Sequence, residues 1–554
     1  MPKSADTEIG KQLLKHRKFI LWSEIAALLH DIGKLSSNFL EYRLTWHALE
    51  NGYTEKDPHE HAFFHRHDSL LANLDTRREF MQFCEMIYAQ PELHNAGPAE
   101  LPWITIEEAV HYHAEPISNI SKLLKIADAK DASIDRNNPL FSSEQTDRNI
   151  NDAATIKAQN PVFRVYPSNV FGFEKPGGIT GPQLDNERKQ LYSFLQDHLP
   201  NFKKKFESLE RDRIREAIKS HLRIGLADTT RPDNDTSLWD HSEGVAVMFK
   251  TFLAHAAIYG RIIDTFEDAN FGIWGLGWNS FSFLSRSQKI SDVQARRELI
   301  KDIQKAIRNK IECQFALGNA IYRDDDGIYF LIPSSEVAGS MGTEVEKCNL
   351  SCRNNEYRKF LDVLEAEIHA ECADLSAGEL LPSGFHVRST PFVTAIVKAI
   401  EGVRSAASAP YSSNADPAVT HFLNAWKNSS GKSDVCGICG KRPAAADSAP
   451  DRAKVCGVCE ARRISAQSPA NKENGQTVFQ GELEDRNGRI CLILARFGLT
   501  HWLNGEMVRS LFVTPAHTLT EEVRQLGLPT EFQEQEDKCK AILNDGRAYS
   551  YSRI

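Results

Sequence analysis

Apolar residues recur along this chain with two different periods, and the switch between them predicts where helical layers give way to sheet. Near the N-terminus the period is helical. Ile25, Leu28, Leu29 and Ile32 make one apolar stripe that Gly33 stops, and Leu123, Leu124 and Ile126 make another that delivers Asp128. From residue 271 the pattern changes. "FGIWGLGW" (271–278) reads as a buried strand, 291–311 as a long helix and 318–333 as two strands joined by a tight turn; a second helix (358–375) and a strand (384–389) follow.

Strand, helix, hairpin, helix, strand is the ferredoxin-like order. Asp-Gly is a favoured hairpin turn, so Asp326-Gly327 is expected to close the hairpin, with Asp324 and Asp325 facing solvent. A two-metal site on such a sheet needs a carboxylate on its first strand, and 271–281 has none.

Composition narrows the classes. A chain of 554 residues has room for roughly three or four domains. Its net charge of −9 argues against coating nucleic acid by bulk electrostatics, so any such contact must be local. The basic stretch 202–223 carries Lys203, Lys204, Lys205, Arg211, Arg213, Arg215, Lys219 and Arg223. It is interspersed with Glu207, Glu210, Asp212 and Glu216, and reads as one helix with a salt-bridged solvent face. No segment approaches the roughly 20 apolar residues of a membrane span, and the N-terminus lacks a secretory apolar core, so a cytoplasmic location without membrane contact is expected. The eleven cysteines suggest no disulfide framework.

Two motifs carry chemistry. His30-Asp31 closes the first apolar helix, and imidazole with carboxylate suits Mn, Fe, Co, Ni or Mg, hence metal-assisted hydrolysis of a phosphoester. A lone His-Asp pair is more readily explained as a histidine capping a helix C-terminus and an aspartate bonding nearby backbone, and His67-Asp68 is a second example. Here His111, His113 and Asp128 follow as further ligands; His59, His61, His65 and His67 form either more ligands or a solvated loop. Asp240-His241 is expected to cap the helix that follows it. The second motif is Cys436-x2-Cys439, sixteen residues, Cys456-x2-Cys459, the spacing of a closed four-thiolate structural zinc site. Gly437 and Gly457 are expected to turn the backbone toward the sulfurs. A redox reading is disfavoured because the pairs flank a Pro/Ala/Asp loop rather than open a helix.

"ALLHDIGK", a His-x-His followed by proline and "KLLKIADAKDASIDR" together resemble the HD domain of the large subunit of type III CRISPR effector complexes, in which a circular permutation puts the His-Asp pair near the N-terminus. Residues 225–250 are similar to the stretch entering the first palm of the Csx-type variant of the Csm and Cmr large subunits. The resemblance implies a multidomain α and α+β chain: an all-α HD domain (1–165), a helical connector (166–265) and a first ferredoxin-like palm (266–404). A linker with the four-cysteine zinc element (405–480) and an incomplete second palm (481–554) follow. Within the last, 489–512 reads as an opening strand and helix.

The resemblance further implies an antiviral subunit with metal-dependent nuclease activity on single-stranded DNA. His30 and Asp31 would be catalytic, and they, Asp128 and one of His111 and His113 would be ligands to Mn, Ni, Co or Mg. Lys34 is either a phosphate contact or solvated. Expected partners are the other protein subunits of the effector complex, guide RNA, and target RNA or single-stranded DNA. Cyclic oligoadenylate synthesis is not expected from this chain alone: no Gly-Gly-Asp-Asp turn occurs, Arg496 stands on the opening strand, and the second palm reads as truncated or completed by a partner. Two alternatives stand beside this reading, a non-catalytic scaffold subunit and an HD phosphohydrolase of small nucleotides.

Overall fold

The structure is a computed structural model; it describes residues 3–37, 39–40, 74–88, 104–112, 116–136, 163–169, 172–173, 177–227, 233–234, 236–336, 344–408, 417–429, 434–445, 454–466, 482–484, 491–493 and 510–515. Helix α1 (Glu8–Leu28) starts where the Thr7 hydroxyl accepts from Gly10 N at 3.0 Å, and it buries Leu13, Ile20, Leu21, Ile25 and Leu28. Helices α2 (Leu74–Tyr88), α3 (Ile106–Tyr112) and α4 (Asn119–Arg136) follow, then α5 (Gly181–Lys205) and α6 (Ser208–Leu222). Helix α7 (Leu238–Tyr259) begins in a capping box made by Ser237 and Asp240. From Val245 to Ile258 it is buried at every position, mostly apolar but including Lys250, Thr251 and His255. It packs along α1, against α4 and onto the sheet described next, so one helix touches both helical and sheet layers.

That sheet holds β5 (Phe271–Gly277), β6 (Asn319–Asp324), β7 (Gly327–Pro333) and β8 (Ser383–Thr390) in the antiparallel order β6-β7-β5-β8. Helix α8 (Ile290–Arg308) and a π-helical turn (Asn309–Gln314) join β5 to β6, and α9 (Glu344–Ser376) joins β7 to β8. The central strands β5 and β7 are buried at every residue because α7 packs on β7 while α10 (Ile396–Ala407) packs on β5 and β8. The strand, helix, hairpin, helix, strand order expected from the pattern is present. One detail differs: the two-residue turn is Asp325-Asp326, with Asp324 paired to Gly327.

A second sheet was not anticipated. Strand β1 (Phe163–Asn169) pairs with β2 (Gly172–Phe173), β3 (Ile179–Thr180) and β11 (Ser510–Pro515), and β4 (Asp233–Asn234) pairs with the other edge of β11; Phe163 to Ser168 run antiparallel to Pro515 to Ser510. Part of the segment expected as a helix within 489–512 is therefore strand. Its beginning, β10 (Cys491–Ile493), pairs with β9 (Glu482–Glu484).

The basic stretch 202–223 is also not the single solvated helix expected. It breaks at Phe206, which adopts a left-handed φ of 51°, and in α6 it turns Arg211 and Arg215 inward. Arg211 donates to Glu24 of α1 (3.0 Å), to Glu312 of the π-turn (2.9 Å) and to Asn319 of β6 (2.9 Å). Lys250 of α7 donates to Glu24 (2.9 Å), Asn319 (2.7 Å) and the Glu312 carbonyl (2.8 Å), while Arg215 links Glu24 to Glu243. Burial alone would raise the Glu24 and Glu312 carboxyls. The surrounding cations outweigh it, holding Glu24 well below the usual range and Glu312 down to about 2.

Candidate metal centres

The first centre forms where α1 ends. His30 follows the last turn of α1 and its Nδ1 lies 2.8 Å from the Ala27 carbonyl, so Nδ1–H donates there and Nε2 turns to the Asp31 carboxylate, 3.5 Å away. Helix α4 brings Asp128 and Asp131, and α7 brings His241. The Nε2 of His241 stands 3.3 Å from both Asp31 Oδ2 and Asp128 Oδ1, while its Nδ1 is 2.7 Å from Asp131 Oδ2. Ligand atoms of His30, Asp31 and His241 all lie within 4.8 Å of one another. Asp128 adjoins them through His241 and, at 28% side-chain exposure against 0% for His30 and 1% for Asp31, marks the side open to solvent.

Two imidazoles and a carboxylate, with a second carboxylate adjacent, are the mixed nitrogen and oxygen donor set that Mn, Fe, Co and Ni accept. The residues present therefore fit such an ion. Burial lowers the His30 pKa, only partly offset by Asp31, and holds the ring neutral. Burial works against charge on His241 as well, but its hydrogen bonds to Asp128, Asp131 and Asp31 outweigh it and raise its pKa well above the usual range. Asp128 is held down in turn by the two imidazoles against its own burial.

His241 corrects the sequence reading. Of the Asp240-His241 pair, only Asp240 caps α7; His241 projects into the centre one residue further on. Lys34 is not a solvated surface lysine. Its Nζ sits 2.6 Å from Asp31 Oδ2 and donates to Ala227 O at 2.8 Å. His111 lies in the last turn of α3, whose side chains there are not described, and His113, His59, His61, His65 and His67 lie outside the described residues.

The second centre is all sulfur. Cys436, Cys439, Cys456 and Cys459 are buried with their Sγ atoms within 4.8 Å of one another, and Cys439 and Cys456 are 3.9 Å apart. A tetrahedral zinc with Zn–S bonds of about 2.3 Å needs sulfur separations of about 3.8 Å, so the cage fits that ion. Two local expectations change. The residue with a left-handed φ is Gly440 (62°), after Cys439 rather than between the cysteines, and it closes the knuckle by donating to Cys436 O at 2.9 Å. After α11 (Pro417–Lys427), the second pair also opens a helix, α12 (Gly457–Ala466), instead of flanking a loop only. Around the cage, Arg442 and Arg462 each donate to Glu379 at 2.7 Å, and Arg463 clasps Asp292 of α8 at 2.8 and 2.9 Å.

The hairpin acids have structural partners. Asp324 Oδ1 accepts from the Asp326 and Gly327 amides at 2.9 Å each, and Asp326 Oδ1 accepts from Ser280 N at 3.3 Å; Asp325 pairs with Arg297 across exposed surface at 3.5 Å. Among the described residues no helix is long and apolar enough to cross a membrane.

No family model matches the chain, and no curated protein matches it. Among solved structures it is similar to the apo Csm1-Csm4 cassette, at 13% identity and a TM-score of 0.37, over 75% of this chain and 49% of that one. The Csm1-Csm4 cassette in complex with one ATP gives 14% identity and 0.36, over 74% and 49%. Csm1 in T.onnurineus gives 13% identity and 0.33, over 85% and 59%. The chain thus spans about half the length of the first of these structures.

Proposed function

We propose that this chain acts as the large subunit of a type III CRISPR effector complex, and that its His/Asp centre hydrolyses phosphodiester bonds of single-stranded DNA with Mn, Ni, Co or Mg. The observation that carries the reading is the convergence of His30, Asp31 and His241, with Asp128 beside them, from helices far apart in sequence. The "ALLHDIGK" and "KLLKIADAKDASIDR" motifs supply the family resemblance that names the substrate.

A bound divalent ion supplies an acidified water and neutralises charge on the scissile phosphate. The chain's own residues do the rest. Ala27 O fixes the His30 ring so that Nε2 faces the centre, and burial keeps that ring in the neutral form a ligand requires. Lys34, anchored on Ala227 O, sets a positive charge against Asp31. One of His111 and His113 would complete the donor set. In this reading 1–165 is the HD domain, to which the connector 166–265 contributes His241. The remaining units are a first palm at 266–404, a zinc element at 405–480 holding zinc on its four cysteines, and the start of a second palm from 481. Guide RNA, target nucleic acid and the other effector subunits are the partners.

The test is cleavage of end-labelled single-stranded DNA by the full chain with Mn or Ni. Metal-dependent cutting that His30→Ala/Asp31→Ala abolishes is the expected result. No cutting by the wild-type protein, with metal content unchanged by the double substitution, leaves the scaffold reading. Hydrolysis of small nucleotides without DNA cleavage would replace the substrate.

A further inference from the structure

His241 is held from both sides. Its Nε2 faces Asp31 and Asp128 at 3.3 Å, and its Nδ1 meets Asp131 Oδ2 at 2.7 Å. Asp131 lies one helical turn beyond Asp128 on α4, so the two carboxylates reach the same imidazole from one helix face. On α7, Gly244 sits three residues after His241, and a Cβ built there would land inside contact distance of Asp131 Oδ1. The glycine is not needed for its backbone, which is ordinary helix. Alanine is the better helix former at such a position, so what the missing side chain provides is space for the carboxylate.

We propose that Asp131 is a positioning residue for the His/Asp centre, holding the Nδ1–H of His241 so that Nε2 is presented to the metal, and that Gly244 is the clearance that lets it do so. The inference rests on the metal reading of that centre. Carboxylate, imidazole and metal in line is the arrangement by which an outer carboxylate fixes a ligating histidine's ring and tautomer.

The experiment uses the full chain with its cysteine centre intact and measures Mn affinity by calorimetry, with zinc content and thermal midpoint as controls. Asp131→Ala and Gly244→Ala are each expected to weaken Mn binding about 10–100-fold at unchanged zinc content. Asp131→Asn, which keeps an acceptor oxygen, is expected to stay within a few-fold of wild type. The double variant Asp131→Ala/Gly244→Ala is expected to be no weaker than Asp131→Ala alone, because the new methyl group then has room. Wild-type affinity in Asp131→Ala, or losses that multiply in the double variant, would overturn the proposal.

If wild-type protein binds no Mn at this centre, the metal reading fails and the positioning claim is read separately, from the hydrogen-bonded Nδ1–H resonance of His241 in histidine-labelled protein. Its loss in Asp131→Ala and Gly244→Ala supports the claim. Its persistence in both overturns it.

Discussion

The two centres of this chain are assembled in opposite ways. The four cysteines lie within one short segment, and local turns bring their sulfurs together: Gly440 N closes the first knuckle on Cys436 O, and α12 grows directly from Cys456. His30, Asp128 and His241 come from three helices that meet only through tertiary packing. The geometry of the cysteine cage is thus set by local turns. The His/Asp centre inherits its geometry from how α1, α4 and α7 pack, and therefore from the buried ion network within two helical turns of it. Glu24 precedes His30 on α1, Glu243 follows His241 on α7, and Arg215 ties the two acids together.

This difference predicts how each centre breaks. The largest effect is expected from Cys439→Ser/Cys456→Ser, which should lose about one zinc per chain and unfold the segment around α12. Structural zinc contributes of order 10 kcal/mol to such elements, so metal analysis and limited proteolysis should both report it. Arg211→Met comes next. It removes the cation shared by Glu24 and Glu312, leaving Glu24 to Lys250 and Arg215 and Glu312 to Arg308, and should cost about 3 kcal/mol in urea unfolding, weakening Mn binding with zinc content unchanged.

The pH dependence sharpens the same point. Glu312 is held at about 2 against an ordinary 4.5, so the unfolded chain binds more protons between those values. Its contribution is present above pH 4.5 and is lost as pH falls toward 2. Urea midpoints measured from pH 5 to 3 should drop, and Glu312→Gln should flatten that slope. The smallest effect is expected from Arg297→Ala, which removes only an exposed pair with Asp325 and should change stability by about 0.5 kcal/mol or less.

Legibility in the sequence follows the same division. The cysteine cage could be read from spacing because its information is local. The four-stranded sheet was legible too, since β5 and β7 are continuous apolar runs and the hairpin carries its own turn. Half of the His/Asp centre was visible in the His30-Asp31 pair and in the amphipathic helix bearing Asp128. His241 was not, because a histidine in the first turn of a capped helix looks the same whether it caps or reaches into a pocket. A usable signal was the mostly apolar stretch Val245–Ile258 after it, interrupted only by Lys250, Thr251 and His255, which predicts that α7 is buried. Arg211 and Arg215 were misplaced for a similar reason: their neighbours Glu210 and Asp212 suggested surface pairs, whereas the acids that claim them, Glu24, Glu243 and Glu312, lie elsewhere in the chain. The strand Ser510–Pro515 pairs with residues some 350 positions earlier, and no local pattern encodes that.

The most direct test is Mn-dependent cleavage of single-stranded DNA by the full chain carrying His241→Ala, compared with wild type. The account predicts cutting by wild type that chelator abolishes, and a loss of at least about 100-fold in the variant at unchanged zinc content. Equal rates in the two proteins would contradict a centre built from α1, α4 and α7.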